Sequence, residues 1–296
     1  MAGPESCTGR GGVVCFRTLQ IPLTKEINMW DTHMHCRFSG DSDAAPEEMI
    51  RSAIDRGLEG ICFTDHNDYD YPQVPDEESI FLIEPDTYIP AIAALRERYA
   101  GKLSIRCGIE IGMQPQVVEK NKALAAAPFD FIIGSVHVVN GADPYYPDTY
   151  FGIKEEKQAI REYFEENLKN IRLFTDFDAL GHLGYVVRYA PERDAHYRPA
   201  DYMDVIDEIL KFLIDHGKAL ECNSSGLRQG LRDPIPCPQI LERYRELGGE
   251  LITTGADAHN PFDVASDFAR MREILLSCGF RYYAVYTERK PALCPL

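Results

Sequence analysis

The stretch INMWDTHMH at 27–35 decides the reading of this chain, because a short β-type run ends there in metal-competent polar side chains. His33 and His35 stand two apart, so in a strand both point to one face. Two imidazoles at alternate positions can reach a single ion. Six further runs repeat the pattern: GICFTDH at 60–66, LSIRCGIEIG at 103–112, FDFIIGSVH at 129–137, DALGHLG at 178–184, ALECNSSG at 219–226 and LITTGADAH at 251–259.

Helical periodicity fills the gaps. Met49, Ile50, Ala53 and Ile54 share one face of a predicted helix over 46–57, which opens at Pro46. Ile206, Ile209, Leu210 and Leu213 do the same over 200–216, and His216-Gly217 reads as the C-terminus. Residues 238–248 and 262–277 behave likewise. Seven strand–helix units in series predict an α/β fold with a parallel sheet and outer helices. An eighth run, YYAVYTE at 282–288, would close or flank it. All seven runs end in polar residues. That favours a barrel with its active site at the C-terminal strand ends over a doubly wound sheet, which concentrates its chemistry at one switch point. No low-complexity linker follows Met29, so 29–296 is expected to be one domain. Residues 1–28 are Gly-rich and aperiodic. The expectation is a disordered leader or start-site artefact, with an ordered N-terminal arm as the alternative.

Composition sets outer bounds. Apolar residues make up 45% and charged residues 26%, enough for a substantial core. Thirty-one basic against 47 acidic residues give a net charge of −16, which opposes avid nonspecific nucleic-acid binding. No run approaches a membrane span of roughly 20 apolar residues, and GGVVCFRTLQIPL is broken by Arg17 before a signal-peptide core can form. Nine cysteines without a CxxC indicate reduced thiols and a cytoplasmic location.

Of eight histidines, six (His33, His35, His66, His137, His182 and His259) fall at strand ends. Asp41, Asp65, Glu110 and Asp257 accompany them. A lone strand histidine is more often a packing residue than a ligand, but six on one rim with carboxylates are not explained that way. His196 and His216 keep the ordinary reading, as a loop residue and a residue favouring the helix dipole. Imidazole and carboxylate without thiolates suit Zn, Mn or Fe(II). Ions so held acidify water and orient a phosphate, so phosphate-ester hydrolysis is the natural chemistry. Neither a GxSxG elbow nor a GxxxxGK[ST] loop is present.

The ordered motifs DTHMH, TDH, GIE, SVH, GH and DAH resemble the PHP (polymerase and histidinol phosphatase) superfamily from about Met29 to the C-terminus. Within it, DTHMHCRFSGDS, KLSIRCGIEIG, FDFIIGSVHVVNG and ECNSSGLR look most like the histidinol-phosphatase branch. The resemblance implies a distorted (β/α)7 barrel and a site for three divalent ions (Zn, Mn or Fe). It would place His33, His35, Glu110 and Asp257 on the first ion, Glu110, His137 and His182 on the second, and Asp41, His66 and His259 on the third. It implies hydrolysis of L-histidinol phosphate, a phosphoric monoester, by a metal-bridging hydroxide, in histidine biosynthesis. Asp65, Glu110 and Asp257 are the candidate catalytic carboxylates. Arg188 and Arg228, with Asn223 and Ser225, are the candidate phosphate contacts, because arginine clamps phosphoryl oxygens bidentately. Glu221 is as readily an orienting group, and DPYYPDTY at 143–150 offers stacking and a carboxylate. One departure stands out. Many PHP proteins read GHxD at the fifth strand, whereas this chain reads Gly181-His182-Leu183-Gly184, which leaves the partner of His182 in doubt. Competing readings are a phosphoesterase for nucleotides or other small phosphoesters, a metal-binding PHP module without turnover, and a metal-dependent amidohydrolase.

Overall fold

The computed structural model describes residues 27–72 and 81–296, so the leader expected at 1–28 lies, but for its last two residues, outside the described residues. Seven parallel strands pair in sequence order: β1 (Trp30–Met34), β2 (Gly60–Phe63), β3 (Ser104–Gly112), β4 (Phe131–Ser135), β5 (Ala179–Leu180), β6 (Ala219–Asn223) and β7 (Ile252–Gly255). The sheet closes between its ends. The His35 N–H donates to the Ala258 carbonyl at 2.8 Å, and the Asp257 N–H to the His33 carbonyl at 2.8 Å. A doubly wound sheet would reverse its strand order, so the barrel expectation holds.

A helix follows each strand in turn: α1 (Pro46–Asp55), α2 (Pro85–Arg98), α3 (Val118–Ala125), α4 (Glu156–Leu173), α5 (Met203–Asp215), α6 (Pro238–Glu246) and α7 (Phe268–Ser277). The strands are buried almost end to end, as sheets covered by helices must be. The stripe Val205, Ile206, Ile209, Leu210 and Leu213 seats α5 on them. The turn predicted as its start, Pro199–Tyr202, is wound as a 3-10 turn instead. The helix expected from 262 begins only at Phe268. The Ala265 N–H is drawn at 2.9 Å onto the buried Asp31 carboxylate, and Asp267 turns left-handed at φ 58°.

The barrel is distorted where the site lies. The β1–β2 register shifts between Asp31 and Met34. The chain leaves β2 at Phe63 and re-pairs with β3 three residues later, which puts His66 opposite Glu110. The eighth run flanks the barrel. Tyr282–Thr287 (β8) pairs antiparallel with Lys290–Pro295 (β9). Ala284 and Tyr286 pack on Phe131, Ala179 and Ala219, the first residues of β4, β5 and β6, and so fill the N-terminal mouth. Arg289 in the hairpin turn ties it down, with Nε 2.5 Å from Asp178 Oδ2.

Candidate metal centre and active site

At the other mouth the strand tips converge. His33 Nε2 lies 3.1 Å from His35 Nε2 and 3.1 Å from Glu110 Oε2. Asp257 Oδ1 stands 3.4 Å from His35 Nε2 and 3.8 Å from His33 Nε2. On the other oxygen of Glu110, His182 Nε2 is at 2.9 Å and His137 Nε2 at 3.3 Å, with 3.4 Å between the two nitrogens. Toward the rim, Asp41 Oδ2 lies 3.0 Å from His259 Nε2 and 3.6 Å from His66 Nε2. Glu110 is wholly buried. Burial opposes its charge, but His33, His66 and His137 hold it ionised well below the usual carboxylate range.

These contacts have the character of a cation site. Glu221 Oε1 takes the Nδ1 side of His33 at 2.6 Å, and Asp68 Oδ1 that of His137 at 2.8 Å. With Nδ1 as the donor in each, the Nε2 lone pairs face carboxylate oxygens and one another, an arrangement repulsive unless a proton or a metal cation intervenes. His66 Nδ1 and Asp68 Oδ2 are also buried without a hydrogen-bond partner. Four donor sets draw within 4.8 Å: His33, His35 and Asp257; His33, Glu110 and His182; His35, His66 and His259; and His66, Asp68 and His137. All-imidazole and carboxylate donors fit divalent Zn, Mn or Fe.

Above this floor opens a cavity of about 830 Å³. Its wall is aromatic, with Tyr71, Phe81, Tyr145, Tyr185 and Tyr189, and Arg188 and Arg228 reach it from one side. Arg188 is 7% exposed. Its Nη2 donates to Asp257 Oδ2 at 3.0 Å and to Ser225 Oγ at 2.6 Å, while its Nε has no partner. Burial disfavours its charge, yet Asp257 keeps it cationic.

A family model described as the PHP domain matches residues 31–225. The chain belongs to the PHP family. Among PHP relatives, the histidinol-phosphatase of Lactococcus lactis subsp. lactis is 31% identical over 88% of this chain and 95% of its own length. A probable histidinol-phosphatase of Clostridium acetobutylicum is 32% identical over 88% of this chain and 98% of its own. The crystal structure of the Lactococcus lactis histidinol phosphate phosphatase, complexed with zinc, L-histidinol and phosphate, matches with a TM-score of 0.81. It is 30% identical and covers 90% of this chain and 100% of that one.

The structure brings all nine residues expected from the PHP motifs to one cluster, Glu110 at its centre. Two other expectations need correction. Asp65 does not face the cavity. It is fully buried under the turn that follows β1, where it accepts from the Cys36 N–H at 2.7 Å and the Ser39 hydroxyl at 3.1 Å, and Ser39 in turn touches His35 Nδ1 at 3.0 Å. Asn223 and Ser225 are buried behind Arg188 and support it instead of lining the cavity. Arg228 lines the cavity but spends two donors on the Ala256 and Asp257 carbonyls, at 2.9 and 3.0 Å, holding the loop that carries Asp257.

The missing GHxD aspartate has a backbone cause. Gly184 sits at φ 128°, which side chains rarely adopt. His182 Nδ1 accordingly has no partner, and the residue is held through its backbone N–H, which donates to Glu221 Oε2 at 2.7 Å. Sequence reasoning passed over Asp68. Its signal was the position two after His66, backed by Gly112, where a Cβ would fall 1.9 Å from Asp68 Oδ1. The 143–150 loop does reach the cavity. Asp143, however, accepts from the Tyr71 hydroxyl at 2.6 Å, the Tyr185 hydroxyl at 3.0 Å and the Tyr145 N–H at 2.8 Å, and so builds the aromatic wall.

Proposed function

We propose that the protein is a metal-dependent phosphomonoesterase that hydrolyses L-histidinol phosphate to L-histidinol and phosphate. The observation that carries the reading is the placement of the imidazole–carboxylate floor directly beneath Arg188 in one cavity. The likeness to histidinol-phosphatases over most of the chain supports the substrate.

His33, His35, Asp41, His66, Glu110, His137, His182, Asp257 and His259 would hold three divalent ions, Zn, Mn or Fe. Bound there, such ions supply Lewis-acid polarisation of the phosphoester and lower the pKa of water. The protein's own groups do the rest. Arg188 meets the phosphoryl oxygens with its guanidinium edge, and its charge is preorganised by Asp257 and Ser225 before substrate arrives. Glu110 and Asp257 stay ionised and fix the imidazoles around them. Tyr145, Tyr185 and Tyr189 offer faces to the imidazole and ammonium end of the substrate. Asp143 keeps that wall in place through the Tyr71 and Tyr185 hydroxyls and the Tyr145 N–H.

Among the described residues no helix is long and apolar enough to cross a membrane. Seven described cysteines are free thiols, which suits the cytoplasm.

The test is phosphate release from L-histidinol phosphate beside nucleotides and sugar phosphates, with chelator and after adding back Zn, Mn or Fe(II). Metal-dependent preference for histidinol phosphate is expected. Activity confined to nucleotides would discard the substrate, and silence in metal-loaded protein would discard the phosphatase reading for this panel.

A further inference from the structure

We infer that Glu221, on β6, is a positioning residue that fixes two of the ion sites and ties them to the arginine above. This rests on the metal-centre reading given above. Glu221 is wholly buried and does not line the cavity, so it acts through others. It accepts three times: from His33 Nδ1 at 2.6 Å, from the His182 N–H at 2.7 Å and from Asn223 Nδ2 at 3.2 Å. His33 belongs to the first expected ion and His182 to the second. His182 Nδ1 has no partner, and the carboxylate of Glu221 holds the backbone N–H of that residue.

The direction of the chain of hydrogen bonds is fixed by donor arithmetic. Arg188 can only donate, so Ser225 Oγ accepts from it at 2.6 Å and turns its own hydrogen to Asn223 Oδ1. The amide of Asn223 then presents Nδ2 to Glu221. Arg188 Nη2 also donates to Asp257 at 3.0 Å, and Asp257 lies beside His33 and His35. A chain of hydrogen bonds therefore runs from His33 through Glu221, Asn223, Ser225 and Arg188 to Asp257, whose Oδ1 stands 3.8 Å from His33 Nε2. Within it Glu221 places the His33 proton on Nδ1 and leaves the Nε2 lone pair for an ion. Packing leaves no slack, since a Cβ on Gly255 would come within 2.5 Å of Glu221 Oε1 and 2.3 Å of His33 Cβ.

Glu221→Gln has nearly the same shape but one oxygen too few. Its amide group must face either the His182 N–H or the His33 Nδ1–H, donor to donor. Escape from the second contact moves the His33 proton to Nε2, where an ion belongs. The experiment titrates ion-free wild type, E221Q and C222A with Co²⁺, followed by absorption and bound-metal stoichiometry. Cys222 precedes Asn223 on the same strand but makes none of these contacts, so C222A should match wild type. E221Q should bind about 10–100-fold more weakly, with a chelator-treated melting temperature close to that of C222A. Wild-type affinity in E221Q would overturn the inference. Failure of wild type to take up any ion would instead overturn the metal-centre reading itself. Asn223→Ala supplies a second, independent readout. It should leave Co²⁺ affinity near wild type while weakening inhibition by inorganic phosphate about tenfold, the loss of roughly one hydrogen bond's worth of support. Unchanged phosphate inhibition in N223A would break the tie to Arg188.

Discussion

Arg188→Met is the perturbation with the best-defined consequence. Methionine keeps much of the length and removes the guanidinium. Arg188 lines the cavity, is 7% exposed and stays cationic, so an anion in the cavity meets a largely desolvated guanidinium. One hydrogen bond to a charged group contributes about 1.5–3 kcal/mol, or roughly 10- to 150-fold in transition-state binding. The kcat/KM for L-histidinol phosphate should therefore fall by about that factor. Bound-metal stoichiometry should hold, because Asp257 retains His33, His35 and the ions as partners. Steady-state kinetics on protein of measured metal content, with inhibition by inorganic phosphate alongside, make the assay. Wild-type kcat/KM and phosphate inhibition in a fully loaded variant would refute the assignment. A loss of metal in proportion to activity would show instead that Arg188 serves the ion site through Asp257.

Three further outcomes follow from the same contacts. His137→Ala should abolish turnover and lower metal content while circular dichroism stays native, and wild-type activity would mean the second ion site is misassigned. In the ion-free protein, burial disfavours a charged His66, but Glu110, Asp41 and Asp68 outweigh it and raise its pKa from 6.5 to about 9. The ion-free fold then holds a proton the unfolded chain releases, so this stabilisation is full below pH 6.5 and lost as pH rises through about 9. Urea midpoints with chelator should fall over that window while metal affinity rises, since ions must displace the proton; calorimetry in two buffers measures the release. Arg289→Ala unpairs the buried Asp178 and loosens the C-terminal hairpin, and should cost about 1–3 kcal/mol of stability with kcat unchanged, as read from urea denaturation beside kinetics.

Much of this was legible in the chain itself. Short apolar runs and helical stripes give seven βα units because strands covered on both faces read as near-continuous apolar runs and each helix must hide one face, local properties of sequence. The gathering of the nine motif residues was readable because strand direction puts every C-terminal strand end on one rim. The helix at 262–277 was overpredicted because a long-range acceptor, Asp31, claims the Ala265 N–H, and periodicity carries no trace of that competition. Asp65 looked like its neighbours at the strand ends, yet Cys36 and Ser39, in the turn after β1, claim its carboxylate.

The sequence by itself thus determined the fold class, the rim and the donor types, since periodicity and residue chemistry are written locally. Only the tertiary structure decided which side chains face the cavity and which stand behind it. Asp68, Glu221, Asn223 and Ser225 acquire their roles from partners up to 188 residues away, as in the His33–Glu221 contact. Hydrogen-bond geometry depends on where strands lie in the barrel, and sequence spacing holds no record of those distances.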